Sequence, residues 1–322
     1  MRDIEPGRPL VFSHIPKTAG TSMRQSLVEA LRPTRCVTGY DASLAGGYGV
    51  DGLRPPRPDR VFAAPEEIPA DADLVLGHIA PSTTRTRFPD AEHVTFLRNP
   101  QVRILSQWLH GRAVTEWDIR RWGAFRDSFR QTWRPLPDYL RISRVAANTD
   151  NTITRFLVWP HPRVPDSGWI DERDDDGLFE AAVAELERMA HADVIENPGF
   201  ADDLTRWLGR PLPGQRANAR TWVPQRRHPD AQRDFGPRAR RLLAHSTRID
   251  VRLWKHLAGR VLPGQDLDEV LSAGVERAVG AYLSLGTQPP PASAKRRVAV
   301  AAYGARARLQ HPSLGTGPDR AG

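Results

Sequence analysis

The chain has 322 residues, 39% of them hydrophobic and 7% aromatic, enough to fill the core of one large α/β domain or two modest ones. Its formal charge of +8 invites a nucleic-acid reading, but the residues from Thr287 onward set six Lys or Arg against Asp319 and carry +5 of it, leaving about +3 elsewhere, an excess one anionic cofactor site accounts for. A single cysteine, Cys36, excludes an intrachain disulfide, and with no signal-peptide pattern and no apolar run near the ~18 residues of a membrane span, the expectation is a cytoplasmic protein without nucleic-acid partner or membrane span.

In chain order, residues 9–15 form a short apolar run that predicts a strand, and after the loop 16–21 Met23, Leu27, Ala30 and Leu31 recur at helical spacing until Pro33. Residues 39–58, rich in Gly and Pro, predict an exposed loop. Apolar runs at 72–79 and 93–97 predict two buried strands. The second ends in Arg98-Asn99-Pro100, where Asn99 suits a helix N-cap and Pro100 the first helical position. Ile104, Leu105, Trp108 and Leu109 then mark the buried stripe of that helix.

Beyond Trp117 the pattern is mainly helical, with helices expected at 136–147, 178–191, 199–208, 237–246, 248–257 and 266–285 and a short strand at 192–195. After Gln288 the composition turns to Pro, Ala, Gly and Arg, which predicts a disordered basic tail. Strand, loop and helix in alternation imply an α/β fold, a P-loop-type parallel sheet flanked by helices with a mainly helical second half. The expected organisation is one domain over 1–286, with its core at 9–112 and a helical region at 113–286, followed by the tail at 287–322.

The most informative segment is His14-Ile-Pro-Lys-Thr-Ala-Gly-Thr-Ser22, between a strand and a helix. The N–H groups of residues 18–22, including those of Thr18 and Ala19, would meet a phosphate-like anion at the positive end of the helix dipole. Gly20 would let the backbone approach closely, Thr21 and Ser22 add hydroxyls, and Lys17 adds a mobile charge. A Walker A lysine follows the second glycine directly before Ser/Thr, whereas Lys17 precedes Gly20 by three positions.

The run Asp73-Leu-Val-Leu-Gly-His-Ile79 ends a predicted strand in Gly77-His78, at the sheet edge where open α/β proteins build their sites. Histidine, with an ordinary pKa near ~6.5, suits a general base at neutral pH. A P-loop kinase would be expected to end such a strand with a magnesium-binding aspartate, and Asp73 is at the wrong end. No His/Cys/Asp cluster has metal-ligand spacing, so no metal is expected.

Pro16-Lys-Thr-Ala-Gly-Thr-Ser22 resembles the 5′-phosphosulfate loop of sulfotransferases that use 3′-phosphoadenosine 5′-phosphosulfate (PAPS), closest to the branch containing the heparan sulfate 2-O-sulfotransferases. Thr95-Phe-Leu-Arg-Asn-Pro-Gln-Val-Arg-Ile-Leu-Ser106 resembles the same family's 3′-phosphate element, in which an arginine and a serine eight residues later bind the phosphate. The resemblance implies that Lys17 reaches the oxygen bridging phosphate and sulfate, that Arg98 and Ser106 hold the 3′-phosphate, and that His78 is the catalytic base. Arg103 stands in a position common in the family and also reads as a solvated helix arginine, and Asn99 replaces the usual aspartate.

Weaker likenesses lie at 148–155, expected near the acceptor site, at Asn218-Ala-Arg220, and at 192–197. Trp108, Trp117, Trp122 and Trp133, with Phe125 and Phe129, read as a packed helical cap or as an aromatic wall for an acceptor. The implied activity is transfer of a sulfo group from PAPS to a hydroxyl of a glycan, lipid or small metabolite, in a bacterial-type cytoplasmic enzyme. The alternatives are a P-loop kinase, or a protein that holds PAPS or its desulfated product without chemistry.

Overall fold

The apolar runs at residues 10–13, 74–77 and 93–97 are buried throughout, as strands covered by helices on both faces must be. In the computed structural model, which describes residues 4–46, 60–120, 122–213 and 222–287, the strands are β1 (Leu10–Ser13), β2 (Cys36–Tyr40), β3 (Arg60–Val61), β4 (Leu74–His78), β5 (Glu92–Leu97) and β6 (His191–Val194). They pair in parallel in the order β3-β2-β4-β1-β5-β6. The chain runs out from β1 to one edge, returns through β4 and crosses to β5 on the other side. This makes the carboxyl end of β1 the switch point of the sheet.

The helices are α1 (Gly20–Leu31), α2 (Pro81–Arg87), α3 (Pro100–Ala113), α4 (Glu116–Ile119), α5 (Arg126–Gln131), α6 (Leu136–Tyr139), α7 (Ala146–Thr149), α8 (Thr152–Val158), α9 (Asp175–Glu187), α10 (Phe200–Leu208), α11 (Ala231–Phe235), α12 (Pro237–Ser246), α13 (Arg248–Val261) and α14 (Leu267–Leu283). Met23, Leu27 and Leu31 of α1 and Leu204 and Leu208 of α10 cover one sheet face, against Leu10, Phe12, Leu76 and Phe96. The other face carries two cores: Val11, Val37 and Val75 under Phe62, Ile68 and Phe88, and Leu97 and Val194 against Phe156, Leu186 and Trp254. No helix among the described residues is long and apolar enough to cross a membrane.

The structure corrects three expectations. Gly39 and Tyr40 belong to β2 rather than to an exposed loop, and Leu44 enters the core. Few large side chains mark β2 because Gly39 lies opposite Gly77, where a Cβ would stand 2.5 Å from the Gly39 carbonyl oxygen. Residues 47–58 of that stretch and the tail after Thr287 lie outside the described residues. The helix expected at 136–147 is divided between α6 and α7, with Ile142 extended at the break.

The third correction concerns 148–155, which lies outside the expected helices yet forms α8 and its lead-in. The Asp250 carboxylate accepts hydrogen bonds from Ile153 N (3.0 Å), Thr154 N (2.8 Å) and Thr154 Oγ1 (2.7 Å), so the group that caps α8 comes from α13. Arg155 is buried and pairs with Asp150 at 2.7 Å, and its guanidinium also donates to the carbonyls of Asp150, Pro165 and Gly168. Removing one member of such a network leaves a buried charge unpaired.

His93 of β5 is 1% exposed, with Nδ1 3.4 Å from Ser13 Oγ and no partner for Nε2 among the described residues. Burial, helped by Arg85 and Arg188, lowers its pKa from 6.5 to about 3. A depressed folded-state value means that the neutral imidazole contributes stability above pH 6.5, and that this is lost as pH falls from there towards 3. Wild type should therefore lose stability more steeply than His93→Gln between pH 6 and 4, by up to about 1.4 kcal/mol per pH unit. Buried acids raised by desolvation (Asp193, Glu196 and Asp250) act in the opposite sense but equally in both proteins. Urea unfolding at a series of pH values checks this, and parallel curves would count against a sealed His93.

Candidate functional site

Three adjacent strands, β4, β1 and β5, release their chains side by side at the carboxyl edge, and each delivers one of the segments that the sequence singles out. After β1 the chain turns through residues 14–19 into α1. Thr18 closes this turn by donating from Oγ1 to the Ile15 carbonyl at 2.9 Å, so its buried side chain is spent on the loop itself. Lys17 and Ala19 both adopt left-handed backbone conformations, with φ of 72° and 63°. For residues with a Cβ, such conformations cost about 1–3 kcal/mol each and persist where surrounding structure enforces them.

That enforcement is visible. Arg98, leaving β5, donates from Nη1 to the Lys17 carbonyl at 3.1 Å. The Met23 N–H closes onto the Ala19 carbonyl at 3.3 Å, so the N–H groups of residues 19–22 come ahead of that bond in the first turn of α1. Exposed Ala19, buried Gly20 and half-buried Ser22 and Lys17 surround this turn, and the Thr21 side chain lies outside what the structure describes. The role of Gly20 is more specific than close approach to an anion. A Cβ there would sit 1.7 Å from His14 Nε2, so the imidazole of His14 occupies the space that any other residue would need.

His78, the last residue of β4, donates from Nδ1 to the His14 carbonyl at 2.6 Å. A carbonyl only accepts, so in the neutral ring the proton is on Nδ1 and Nε2 keeps its lone pair. The His78 ring lies between His14, 4.3 Å away between centroids, and Tyr40 at 5.2 Å. His14 Nε2 is sealed from solvent and has no partner among the described residues. Burial first, then the neighbouring His78, Lys17 and Arg24, hold its pKa well below 6.5. His14 is thus a neutral spacer between the loop and His78.

On the β5 side, Arg98 and Ser106 are joined by a residue that the sequence did not single out. Tyr282, near the end of α14, hydrogen-bonds the Ser106 side chain, and burial raises its pKa while Arg98 nearby works in the opposite direction. Asn99 accepts from the N–H groups of Gln101 and Val102 and so caps α3, while its Nδ2 donates to the Leu271 carbonyl at 2.9 Å. An aspartate could cap the helix but could not make that last bond. Arg103 is 1% exposed, which overturns its reading as a solvated arginine; its Nη2 donates to Asn148 O and Thr152 Oγ1.

The aromatic segment is mostly internal packing. Trp108 is fully buried, Trp133 donates to the Gly111 carbonyl and lies under Arg227, and Trp122 meets Phe129 edge-on. In the 192–197 stretch, the Glu196 carboxylate takes the Asn99 N–H and Trp254 Nε1, a structural commitment. Asn218 and Arg220 lie outside the described residues. No known protein-family model matches this chain, and no curated protein matches it either.

The packing of His14 against Gly20 generates a test. Gly20→Ala should destabilise the protein by about 1–3 kcal/mol, the usual cost of overpacking. The double variant Gly20→Ala/His14→Ala should recover the larger part. Chemical denaturation of the four proteins closes the cycle, and a neutral Gly20→Ala would show that the ring moves aside at no cost.

Proposed function

We propose that this chain is a sulfotransferase that moves a sulfo group from PAPS to an acceptor hydroxyl, with His78 as general base. The observation that carries this reading is the convergence of the loop 14–22, His78 and Arg98 at the carboxyl ends of three adjacent parallel strands. The donor set suits the cofactor: Lys17 and the first-turn N–H groups of α1 form one anion-binding element, and Arg98, Ser106 and Tyr282 form another. A molecule with a 5′-phosphosulfate and a 3′-phosphate needs two such elements.

When bound, PAPS supplies an activated sulfo group whose bond to the bridging oxygen breaks as the acceptor oxygen bonds to sulfur. The Lys17 ammonium would offset the charge gathering on that bridging oxygen, and the N–H groups of residues 18–22 would hold the neighbouring oxygens. Of these, Thr18 N–H also reaches the Ile15 carbonyl at 3.4 Å, a long contact that is easily shared. His78 Nε2 would receive the acceptor's proton, with Nδ1 anchored on the His14 carbonyl so that the ring does not turn. The two Asp residues nearest this edge in sequence are committed elsewhere: Asp41 to Ser43, Ala80 and Thr83, and Asp73 to the N–H groups of Thr34 and Arg35.

Calorimetric titration with 3′,5′-adenosine bisphosphate should show micromolar binding. Arg98→Ala should weaken it by about 10- to 100-fold, the worth of a charge-assisted hydrogen bond. Lys17→Ala and His78→Ala should each keep the fold and lose most turnover, by about 100-fold or more for the base. Binding of ATP with magnesium and none of the bisphosphate would replace this reading with a kinase, and retained turnover in both variants would remove the catalytic roles.

A further inference from the structure

The last helix, α14, leans on α3 beside the strand end that carries Arg98. Asn99 Nδ2 donates to the Leu271 carbonyl at 2.9 Å near the start of α14. About three turns later the Tyr282 ring packs against the cluster of Leu109, Ala113 and Val223. Ser106 lies about one turn before Leu109, and its side chain meets the Tyr282 hydroxyl, with Arg98 near enough to act on the same phenol. Hydroxyls on other helices of this chain turn back onto their own helix: Ser26 Oγ donates to the Ser22 carbonyl, Thr86 Oγ1 to that of Ser82 and Thr149 Oγ1 to that of Val145. Ser106 makes no such bond among the described residues, and its half-buried hydroxyl goes to Tyr282 instead.

We propose that Tyr282 is a positioning residue that sets the preference for a nucleotide bearing a 3′-phosphate, by holding the Ser106 hydroxyl with its proton turned towards that phosphate. The proposal rests on the sulfotransferase reading, which places the 3′-phosphate at Arg98 and Ser106. Donor accounting fixes the order of the bonds. Ionised phosphate oxygens only accept, so Ser106 must spend its single O–H on the phosphate. Its oxygen then faces Tyr282 as an acceptor, and the phenol must supply the proton. The order Tyr282 to Ser106 to phosphate is the one in which both hydroxyls keep a hydrogen bond, and each bond polarises the next. Burial raises the phenol's pKa and so keeps that O–H in place, against the opposite pull of Arg98. Without the phenol, the serine proton is free to turn back to a carbonyl of its own helix, as at Ser26, Thr86 and Thr149. Arg98 thus supplies charge, and Tyr282, acting through Ser106, supplies direction.

The test is calorimetric titration of the full chain with 3′,5′-adenosine bisphosphate and, separately, with adenosine 5′-monophosphate, which lacks the 3′-phosphate. Wild type should bind the bisphosphate about 10-fold or more tightly than the monophosphate. Tyr282→Phe keeps the packed ring and should weaken the bisphosphate by about 3- to 10-fold while leaving the monophosphate unchanged, a split that a purely structural role would not produce. Ser106→Ala should also weaken the bisphosphate alone, and adding Tyr282→Phe to it should cost nothing further. The proposal is overturned if Tyr282→Phe leaves bisphosphate affinity intact, weakens both nucleotides alike, or costs as much in the Ser106→Ala background as in wild type. Wild type that does not bind the bisphosphate would remove the sulfotransferase reading and the role of Tyr282 with it. Bisphosphate binding that is lost in Arg98→Ala but untouched in Tyr282→Phe would keep that reading and remove the role of Tyr282 alone.

Discussion

The hydrogen bond from His78 Nδ1 to the His14 carbonyl is the contact on which the rest of the site depends. It joins the end of β4 to the end of β1 just where β1 gives way to the loop, and it sets the tautomer of His78 through a main-chain carbonyl. The same residue, His14, offers its carbonyl to His78 and its ring to Gly20, so the strand end, the candidate base and the start of α1 are held by one side chain and one main-chain group. A second consequence is electrostatic. Because burial keeps His14 neutral, its imidazole adds no charge beside the cations Lys17 and Arg24.

The strain in the loop is balanced against these contacts. Two left-handed residues, Lys17 and Ala19, are held by Thr18 from within and by Arg98 from the neighbouring strand. Arg98 therefore has a dual place: one guanidinium nitrogen steadies the loop, while the group as a whole stands beside Ser106 and Tyr282. An arginine can do this because its five donors lie in a fixed fork, which a lysine does not offer. The last helix, α14, is tied to the same corner twice, through Asn99 to Leu271 and through Ser106 to Tyr282.

How much of this could be read in advance follows from how local each signal is. β1, β4 and β5 are continuous apolar runs, and the loop and Asn99-Pro100 carry their own turn and cap chemistry, so the sheet core and the three site segments were legible. β2 was not, because its pairing uses Gly39 against Gly77 and leaves few large side chains to read. α8 was missed because polar residues open it and its capping carboxylate, Asp250, is nearly a hundred positions away. Tyr282 and Arg24 carry no motif. Both sit on ordinary amphipathic helices, and only the packing of α14 on α3 and of α1 on the sheet brings them to the site.

The arginine content shows why net charge is a poor guide to what this surface meets. Arg103, Arg112 and Arg227 are buried, and among the described residues their hydrogen bonds go to uncharged oxygens: Asn148 O and Thr152 Oγ1 for Arg103, the carbonyls of residues 132–134 and 227 for Arg112, and those of Arg112 and Val114 for Arg227. Buried guanidinium groups held by carbonyls count fully in a formal charge but are sealed from direct contact with a surface partner. Outside the basic tail the excess is only about +3, and these three side chains alone match it. The cations left to define function are the few that gather at the carboxyl edge of β4, β1 and β5. There the fold sets Lys17 and Arg98 at the ends of neighbouring strands.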